Sequence, residues 1–250
     1  MIDIFEIPRG FPRAQDMRVT VNGEPVPVCH TEVAGYCRLA GDGPFEVEVE
    51  YRPGFHRAVA RPLSRAVRVT GDGRRARFTV PGPMQLDLEF DGNLRRPLFL
   101  FFEQPEAERP AAKGKRTVFE SGRIHDIGVY ELEDGETVWM ESGAVVRGAF
   151  LAEGKQDVGV RGLGILDGSA LPHGRDRRRT RMLVFNDCRN VVLEGITVVD
   201  GPTWHVVPMG CEGVSVRNLK IINGSANGDG FDLVGSRDVV VDGCFARTKD

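Results

Sequence analysis

The chain has 250 residues, with 33 Lys and Arg against 36 Asp and Glu, and a formal net charge of −3. This balance argues against nucleic acid or a membrane surface as the main partner, and no uninterrupted apolar stretch reaches membrane length. The N-terminal stretch MIDIFEIPRG lacks a basic segment followed by an apolar run. As written, the chain is therefore expected in the cytoplasm, or in the periplasm or outside the cell if a signal sequence precedes it. The oligomeric state is left open.

Residues 1–102 consist of short segments that alternate apolar and polar residues, such as FEVEVEY and QLDLEFDG. This alternation is typical of half-buried antiparallel strands. Turn dipeptides that favour positive φ separate the segments: Asn22-Gly23, Asp42-Gly43, Asp72-Gly73 and Asp91-Gly92. We predict a small antiparallel β-sandwich over 1–102. The polar stretch EQPEAERPAAKGKR, residues 103–116, is predicted to be a linker.

After the linker the sequence becomes repetitive. Segments 157–168, 190–201, 213–224 and 238–249 align valines and leucines in common columns. The last three of these segments follow one another with a period in the low twenties, and the first interval is longer because it contains an insertion. Short β segments with such a period are typical of a solenoid, whose coils stack to bury a shared face. Valine dominates and no Leu-x-x-Leu-x-Leu pattern recurs, so the repeat favours a parallel β-helix over 117–250. The predicted fold class is all-β.

The cysteines fit this repeat as small structural residues. Cys188, Cys211 and Ser236 share one column of successive coils, which is typical of a tight corner. The chain has five cysteines without a Cys-x-x-Cys motif, and we predict that they are reduced. No group of His, Cys and carboxylate residues has metal-ligand spacing, so neither a metal site nor a cofactor is predicted.

The columns also predict which side chains face the coil interior. We expect an inward-facing ladder formed by Leu183, Val206 and Phe231. The neighbouring positions, Val184, Val207 and Asp232, are expected to form an outward-facing column. Aspartate at Val206 should then be far more destabilising than aspartate at Val207, because only Val206 is expected to be buried.

This register predicts that two acidic residues lie at one edge of the solenoid. The turn Asn227–Gly230 carries Asp229, and the repeat offset places Asp250 over Ser225, one coil further on. One inter-strand step of about 4.8 Å plus part of a turn would separate the two carboxylates. Paired carboxylates suit glycosidic bond cleavage, in which inverting enzymes hold them about 6.5 to 9.5 Å apart. The alternative is that these aspartates only cap backbone groups of the turn.

The run NGDGFD, followed by SRDVVVDGCFARTKD, resembles polygalacturonase-type enzymes of family 28 of the glycoside hydrolases. Their pattern is Asn-Thr-Asp-Gly-x-Asp, with two adjacent aspartates further along the chain. Here Gly228 replaces the threonine, and Asp250 stands where the first aspartate of the pair belongs. The resemblance covers residues 117–250, including GAVVRG, GILDG and GPTWHVVP. It implies a right-handed parallel β-helix and single displacement on an α-linked polysaccharide or oligosaccharide, most simply a galacturonide.

By this resemblance Asp250 would be the general acid, and Asp229 would activate water together with the second aspartate of the pair. That second aspartate, a downstream histidine and an Arg-x-Lys clamp of the family are absent from these 250 residues. We therefore expect the sequence to be the first part of a longer enzyme. The N-terminal sandwich resembles an accessory domain that precedes the helix in some bacterial members.

Further candidates for substrate binding surround the acids. Asn227 and Asp232 belong to the matched motif, and Trp204 occupies the column of Asp229 one coil earlier, where it could stack on a sugar or close the coil corner. His205 could orient an acid or be a structural residue. The arginines of one polar stretch could bind uronic carboxylates or form a solvated loop; they are Arg175, Arg177, Arg178, Arg179 and Arg181.

Two other functions remain open from the sequence. A β-helix polysaccharide lyase would need a calcium-binding acidic groove and a base, which the acid pair fits less well. A non-catalytic carbohydrate-binding or structural solenoid would use the acids only as turn caps. Product analysis distinguishes them, since hydrolysis yields a new reducing end, a lyase yields an unsaturated sugar, and a binding protein yields neither.

Overall fold

The computed structural model describes residues 2–105, 113–172 and 180–249. The chain divides into two compact units, Met1–Ala107 and Glu108–Asp250. A strand ends at Glu103 and the next begins at Arg116. The domain limits at 102 and 117, and the independent folding of the two units, stay predictions. No helix in the described ranges has the length and apolar character that crossing a membrane requires.

The described part of the first unit has ten strands and one turn of 3-10 helix at Leu63–Arg65. The strands β1 to β10 are Ile2–Ile4, Met17–Val21, Glu24–Val26, Cys29–His30, Gly35–Gly41, Phe45–Phe55, Ala58–Arg61, Gly73–Val80, Met84–Phe90 and Leu98–Glu103. They form two sheets, with the order β1-β5-β10-β9-β7, in which β4 also pairs with β5, and the order β3-β2-β6-β8. These strands pair antiparallel except β5 with β10, because a long excursion through the other sheet separates these two strands.

The alternating segments bury one face of their strands as predicted, whereas β5 and β10 are buried on both faces. In β6, Phe45, Val47 and Val49 are buried in the core of the unit, whereas Glu46 and Glu48 lie toward solvent. The Asn22-Gly23 dipeptide joins β2 and β3 with positive φ at both residues, as a two-residue hairpin requires.

The second unit is a parallel solenoid, with fourteen strands in its described ranges. The strands β11 to β24 are Arg116–Phe119, Ile124–Glu131, Thr137–Met140, Val145–Glu153, Gly159–Gly162, Ile165–Asp167, Leu183–Asn186, Arg189–Glu194, Thr197–Val199, Val206–Met209, Glu212–Arg217, Lys220–Ile222, Arg237–Asp242 and Phe245–Arg247. One parallel sheet has the order β11-β13-β15-β18-β21-β23. The other has the order β20-β17-β14-β16-β19-β22-β24, with β12 paired to β14.

The second sheet bends around a corner within β14. The first residues of β14 pair with β16, and its last residues pair with β17. Each coil thus comprises one strand of the first sheet followed by a bent stretch of the second. In coils 1 and 2 that stretch is continuous, as β12 and β14. In coils 3, 4 and 5 it is interrupted at one corner, which we call the open corner, and the described residues of this corner are 168–172 with 180–182, 200–205 and 223–230.

The interior of the solenoid is a set of stacked apolar ladders. Leu183 pairs with Val206, and Val206 bridges to Phe231, so the predicted inward ladder is confirmed. Val184 pairs with Val207 on the opposite face of these strands. The expectation that Val207 is exposed is wrong, because its side chain is completely buried.

The Arg181 side chain of the preceding coil lies close to two residues near Val207 in the sequence. The Arg181 guanidinium lies over the Trp204 ring and reaches to 3.9 Å from the Met209 sulfur.

The cysteine column is apolar and structural, as predicted. Cys188 and Cys211 are free and buried, and burial raises the pKa of both thiols. The Cys211 thiol donates to the Phe185 carbonyl oxygen at 3.2 Å, and the Cys211 backbone N–H donates to the Ser236 hydroxyl at 3.0 Å.

Candidate active site

The open corner of coil 5 is a tight turn tied to the coil beneath it. Asn227 adopts a left-handed φ of 58°. Its side-chain amide donates to the Thr203 hydroxyl at 3.0 Å, and this hydroxyl donates to the Asn227 carbonyl oxygen at 2.9 Å. Asn227, which we predicted to bind substrate, is exposed. Its hydrogen bonds with Thr203 stabilise the turn that carries Asp229.

Gly228, the departure from the family pattern, has a steric reason. A Cβ at this position would lie 2.0 Å from the side-chain nitrogen of Asn223, which is buried beside it. Asn223 accepts a hydrogen bond from the Ser225 backbone N–H at 3.3 Å, just as Asp167 does from Ser169 two coils earlier at 2.9 Å. The Asn223 amide thus occupies the space that a threonine side chain at position 228 would need.

Sequence analysis missed Asn223, although a signal was present. Asp167, Asp200 and Asn223 each end an aligned repeat segment and precede a glycine. A polar residue that recurs at a fixed place in the repeat, immediately before the open corner, marks a turn-capping column.

Asp229 and Asp232 form an interacting pair of carboxylates at the open corner. Burial, and then the negative charge of Asp229, raise the pKa of Asp232 from 3.8 to about 6, while the positive charge of Arg181 opposes the rise. The Asp232 Oδ2 atom is enclosed, with no hydrogen-bond partner among the described residues. The structure thus holds Asp232 ready to carry a proton near neutral pH, beside a second carboxylate.

Trp204 and Arg181 form the wall next to this pair. The Arg181 guanidinium carbon lies 4.3 Å from the centre of the Trp204 ring, in a cation–π arrangement. One face of the predicted sugar-stacking ring is therefore occupied by a cation. Of the predicted arginine run, the structure describes Arg181 alone, and the other members lie outside the described residues: Arg175, Arg177, Arg178 and Arg179.

His205 lies beneath the turn and has no exposed surface. Its Nδ1 atom is 2.9 Å from the Asp229 carbonyl oxygen, and its backbone N–H donates to the same oxygen at 3.0 Å. Burial lowers the pKa of His205 to about 4, so the ring is neutral at neutral pH. The predicted contact of His205 with substrate is corrected, because a completely enclosed ring contacts protein only.

Asp250 lies outside the described residues, but the chain that leads to it is placed. Strands β23 and β24 continue the two sheets as coil 6. The Asn223 backbone N–H donates to the Arg247 carbonyl oxygen at 2.8 Å, which brings coil 6 over the start of the turn that carries Asp229. The proposed distance between the Asp229 and Asp250 carboxylates stays a prediction. Across the described part of the chain, no three His, Cys, Asp or Glu side chains group as metal ligands.

This architecture defines a class. A right-handed parallel β-helix whose coils open at one corner to present acidic side chains is the pectin-hydrolase type of solenoid, and the predicted fold class is confirmed. The sequence model of the Glycosyl hydrolases family 28 matches residues 103–250, more than half of the chain. The chain belongs to this family, as the resemblance in its motifs implied.

Relatives and solved structures agree with the family. A polygalacturonase of Chamaecyparis obtusa is 28% identical over 109 residues, which are 38% of this chain and 21% of that protein. A probable polygalacturonase of Arabidopsis thaliana is 35% identical over 74 residues, or 29% of this chain and 16% of that protein. The matched segments thus span about a fifth or less of these relatives.

Two solved structures share the fold at low sequence identity. Dex49A from Penicillium minioluteum superposes with a TM-score of 0.61 at 12% identity, over 88% of this chain and 68% of that one. The family 28 exopolygalacturonase of Yersinia enterocolitica gives a TM-score of 0.50 at 12% identity, over 99% of this chain and 62% of that one.

Proposed function

We propose that this chain contributes the Asp229 side of the active site of an inverting glycoside hydrolase that cleaves α-linked galacturonide chains. The observation that carries the proposal is the placement of coil 6 over the turn that holds Asp229. The hydrogen bond from Asn223 to Arg247 sets that placement for the described part of coil 6, and Asp250 follows Arg247 by three residues in the sequence. One acid on each of two adjacent coils is the arrangement that single displacement needs.

In the proposed reaction, Asp250 donates its proton to the glycosidic oxygen as the bond from that oxygen to the anomeric carbon breaks. Asp229, together with the second aspartate of the family's adjacent pair, accepts a proton from the water that attacks the anomeric carbon from the opposite side. The new carbon–oxygen bond then has inverted configuration. Neither carboxylate forms a covalent intermediate.

The wall of the open corner supports an acidic sugar as substrate. Arg181 presents a guanidinium beside Asp232, and guanidinium groups bind carboxylates with two parallel hydrogen bonds. Asp232, with its pKa raised to about 6, can donate as well as accept a hydrogen bond at mildly acidic pH. We assign Asp232 and Arg181 to substrate binding, with Trp204 holding Arg181 in place.

The test uses a form of the protein that includes the adjacent second aspartate, with polygalacturonate and an activated aryl galacturonide as substrates. Asp229→Asn should lower the turnover of both substrates by about a hundred- to ten-thousand-fold, because the attacking water must be activated whether the leaving group is a sugar or an aryl group. Asp250→Asn should impair polygalacturonate far more than the aryl substrate, which needs little protonation. Asp238→Asn is the matched control, since Asp238 is exposed and its left-handed φ of 53° suits asparagine.

Products must carry a new reducing end without unsaturation, and NMR of the first product must show the inverted anomer. An unsaturated product would replace the proposal with a lyase. Binding without cleavage would replace it with a carbohydrate-binding solenoid. The 250-residue chain by itself should turn over little substrate, because the second aspartate of the family's adjacent pair is not among its residues.

A further inference from the structure

The backbone around Asp229 is flexible by composition. Gly228 and Gly230 flank the aspartate, and glycine loses more conformational freedom on folding than any other residue. A carboxylate on such a segment needs an external restraint to keep one position. A displacement of about 1 Å in a reacting group can lower a rate about a hundredfold.

His205 supplies two donors to a single acceptor on this segment. The backbone N–H of His205 reaches the Asp229 carbonyl oxygen at 3.0 Å as part of the parallel ladder. The ring Nδ1 reaches the same oxygen at 2.9 Å. Because a carbonyl oxygen can only accept, Nδ1 must carry the hydrogen, and Nε2 is left with a bare lone pair.

A glycine beside the His205 ring provides the space that the ring occupies, and the second ring nitrogen, Nε2, has no hydrogen-bond partner among the described residues. A Cβ on Gly201 would lie 2.7 Å from His205 Nε2, so only glycine at this position admits the imidazole. Nε2 is buried and has no hydrogen-bond partner among the residues that the structure describes. A purely structural histidine would ordinarily use both nitrogens, whereas here the nitrogen that carries the hydrogen serves the main chain of Asp229.

We propose that His205 is a positioning residue, which fixes the main chain of Asp229 through its neutral Nδ1–H and so aims the Asp229 carboxylate into the open corner. The proposal rests on the catalytic role proposed for Asp229. It explains why a histidine immediately precedes the apolar strand β20, and why glycine occupies position 201 beside its ring.

Two variants of His205 separate positioning from packing. His205→Leu fills most of the ring volume but lacks the donor, whereas His205→Asn leaves a void but places an amide N–H near the position of Nδ1. We expect His205→Leu to be the more stable of the two and to lose about ten- to a hundredfold in kcat, with KM nearly unchanged. His205→Asn should be the less stable and yet keep the higher kcat.

Val206→Ala is the control, since it removes apolar volume next to His205 while keeping the imidazole and its hydrogen bond. Its kcat, measured well below its unfolding temperature, should match the parent. If kcat follows stability across all three variants, His205 is merely structural and the proposal is overturned. Asp229→Asn is assayed in parallel, because parental turnover in that variant would refute the proposed function instead.

A measurement on the parent chain tests the hydrogen bond without activity. In 15N NMR, the His205 ring should show a protonated Nδ1 and an unprotonated Nε2 throughout neutral pH. This expectation also holds if both His205 variants fail to fold. A hydrogen on Nε2 would overturn the proposal.

Discussion

The corner of the solenoid is closed in coils 1 and 2 and open in coils 3 to 5, and a buried carboxylate next to the closed coils contrasts with the polar groups around the open corner. In the turn between β12 and β13, where coil 1 passes into coil 2, the fully buried Glu136 carboxylate accepts from Thr117, from Tyr130 and from the Glu133 backbone N–H. Although burial favours its neutral form, these hydrogen bonds hold the pKa of Glu136 below its usual range. A buried charge with full hydrogen bonding can be retained at little cost.

The open corner and the strands beside it retain buried polar atoms that lack partners in the described ranges. They include Asn186 Oδ1, Trp204 Nε1, His205 Nε2, Asn223 Nδ2 and Asp232 Oδ2. Such groups cost stability, and proteins keep them mainly where function requires it. The comparison shows that the second sheet is continuous in coils 1 and 2 and interrupted in coils 3 to 5, and that Asp229 and Asp232 lie at such an interruption.

The largest expected effect tests the burial of both strand faces beside the open corner. Val206→Asp and Val207→Asp should each lower the free energy of unfolding by about 4 kcal/mol, because each places an unpaired charge at a fully buried position. Val240→Asp, in the half-exposed strand β23, should cost less than about 1 kcal/mol. Urea unfolding measures all three. A mild Val207→Asp variant would show that the outer face of β20 opens readily to water.

The next effect tests the closed corner. Gly148 has a φ of 142°, and a Cβ there would lie 2.1 Å from the Gly128 carbonyl oxygen of the coil below. Gly148→Ala should therefore cost about 3 kcal/mol through backbone strain and displacement of that coil. Gly154→Ala is the control, with a φ of 62° and open space around its Cβ, and should cost about 1 kcal/mol. Equal costs in thermal unfolding would mean that the closed corner is not tightly packed.

The smallest effect is specific to the carboxylate pair. The raised pKa of Asp232 means that the folded state favours its protonated form, so this residue destabilises the fold as pH rises through about 6. Asp232→Asn removes that ionisation. The variant should gain stability relative to the parent at about pH 7.5, and the gain should vanish at about pH 4. A gain independent of pH in chemical unfolding would contradict the assignment, and Asp238→Asn again serves as the control.

The sequence determined the regular parts of the molecule. The Asn22-Gly23 dipeptide predicted the hairpin of β2 and β3, since only a few residue types adopt positive φ, whereas Asp42-Gly43 joins strands of different sheets. Columns such as Val191 over Val214 predicted the stacked coils and their register, because side chains at one position of each coil pack on each other. The motif around Asp229 identified the family and the corner where its acids belong.

Only the tertiary structure decided the environment of each residue at that corner. Val207 is fully buried, although the alternation along its strand predicts an outward side chain. The restriction of position 228 to glycine depends on the Asn223 amide, and the role of His205 depends on a carbonyl oxygen of the coil above. A repeat specifies neighbours along the ladder, where period and polarity suffice. The contacts of an interrupted corner are set by loops of unequal length, whose paths depend on packing in three dimensions.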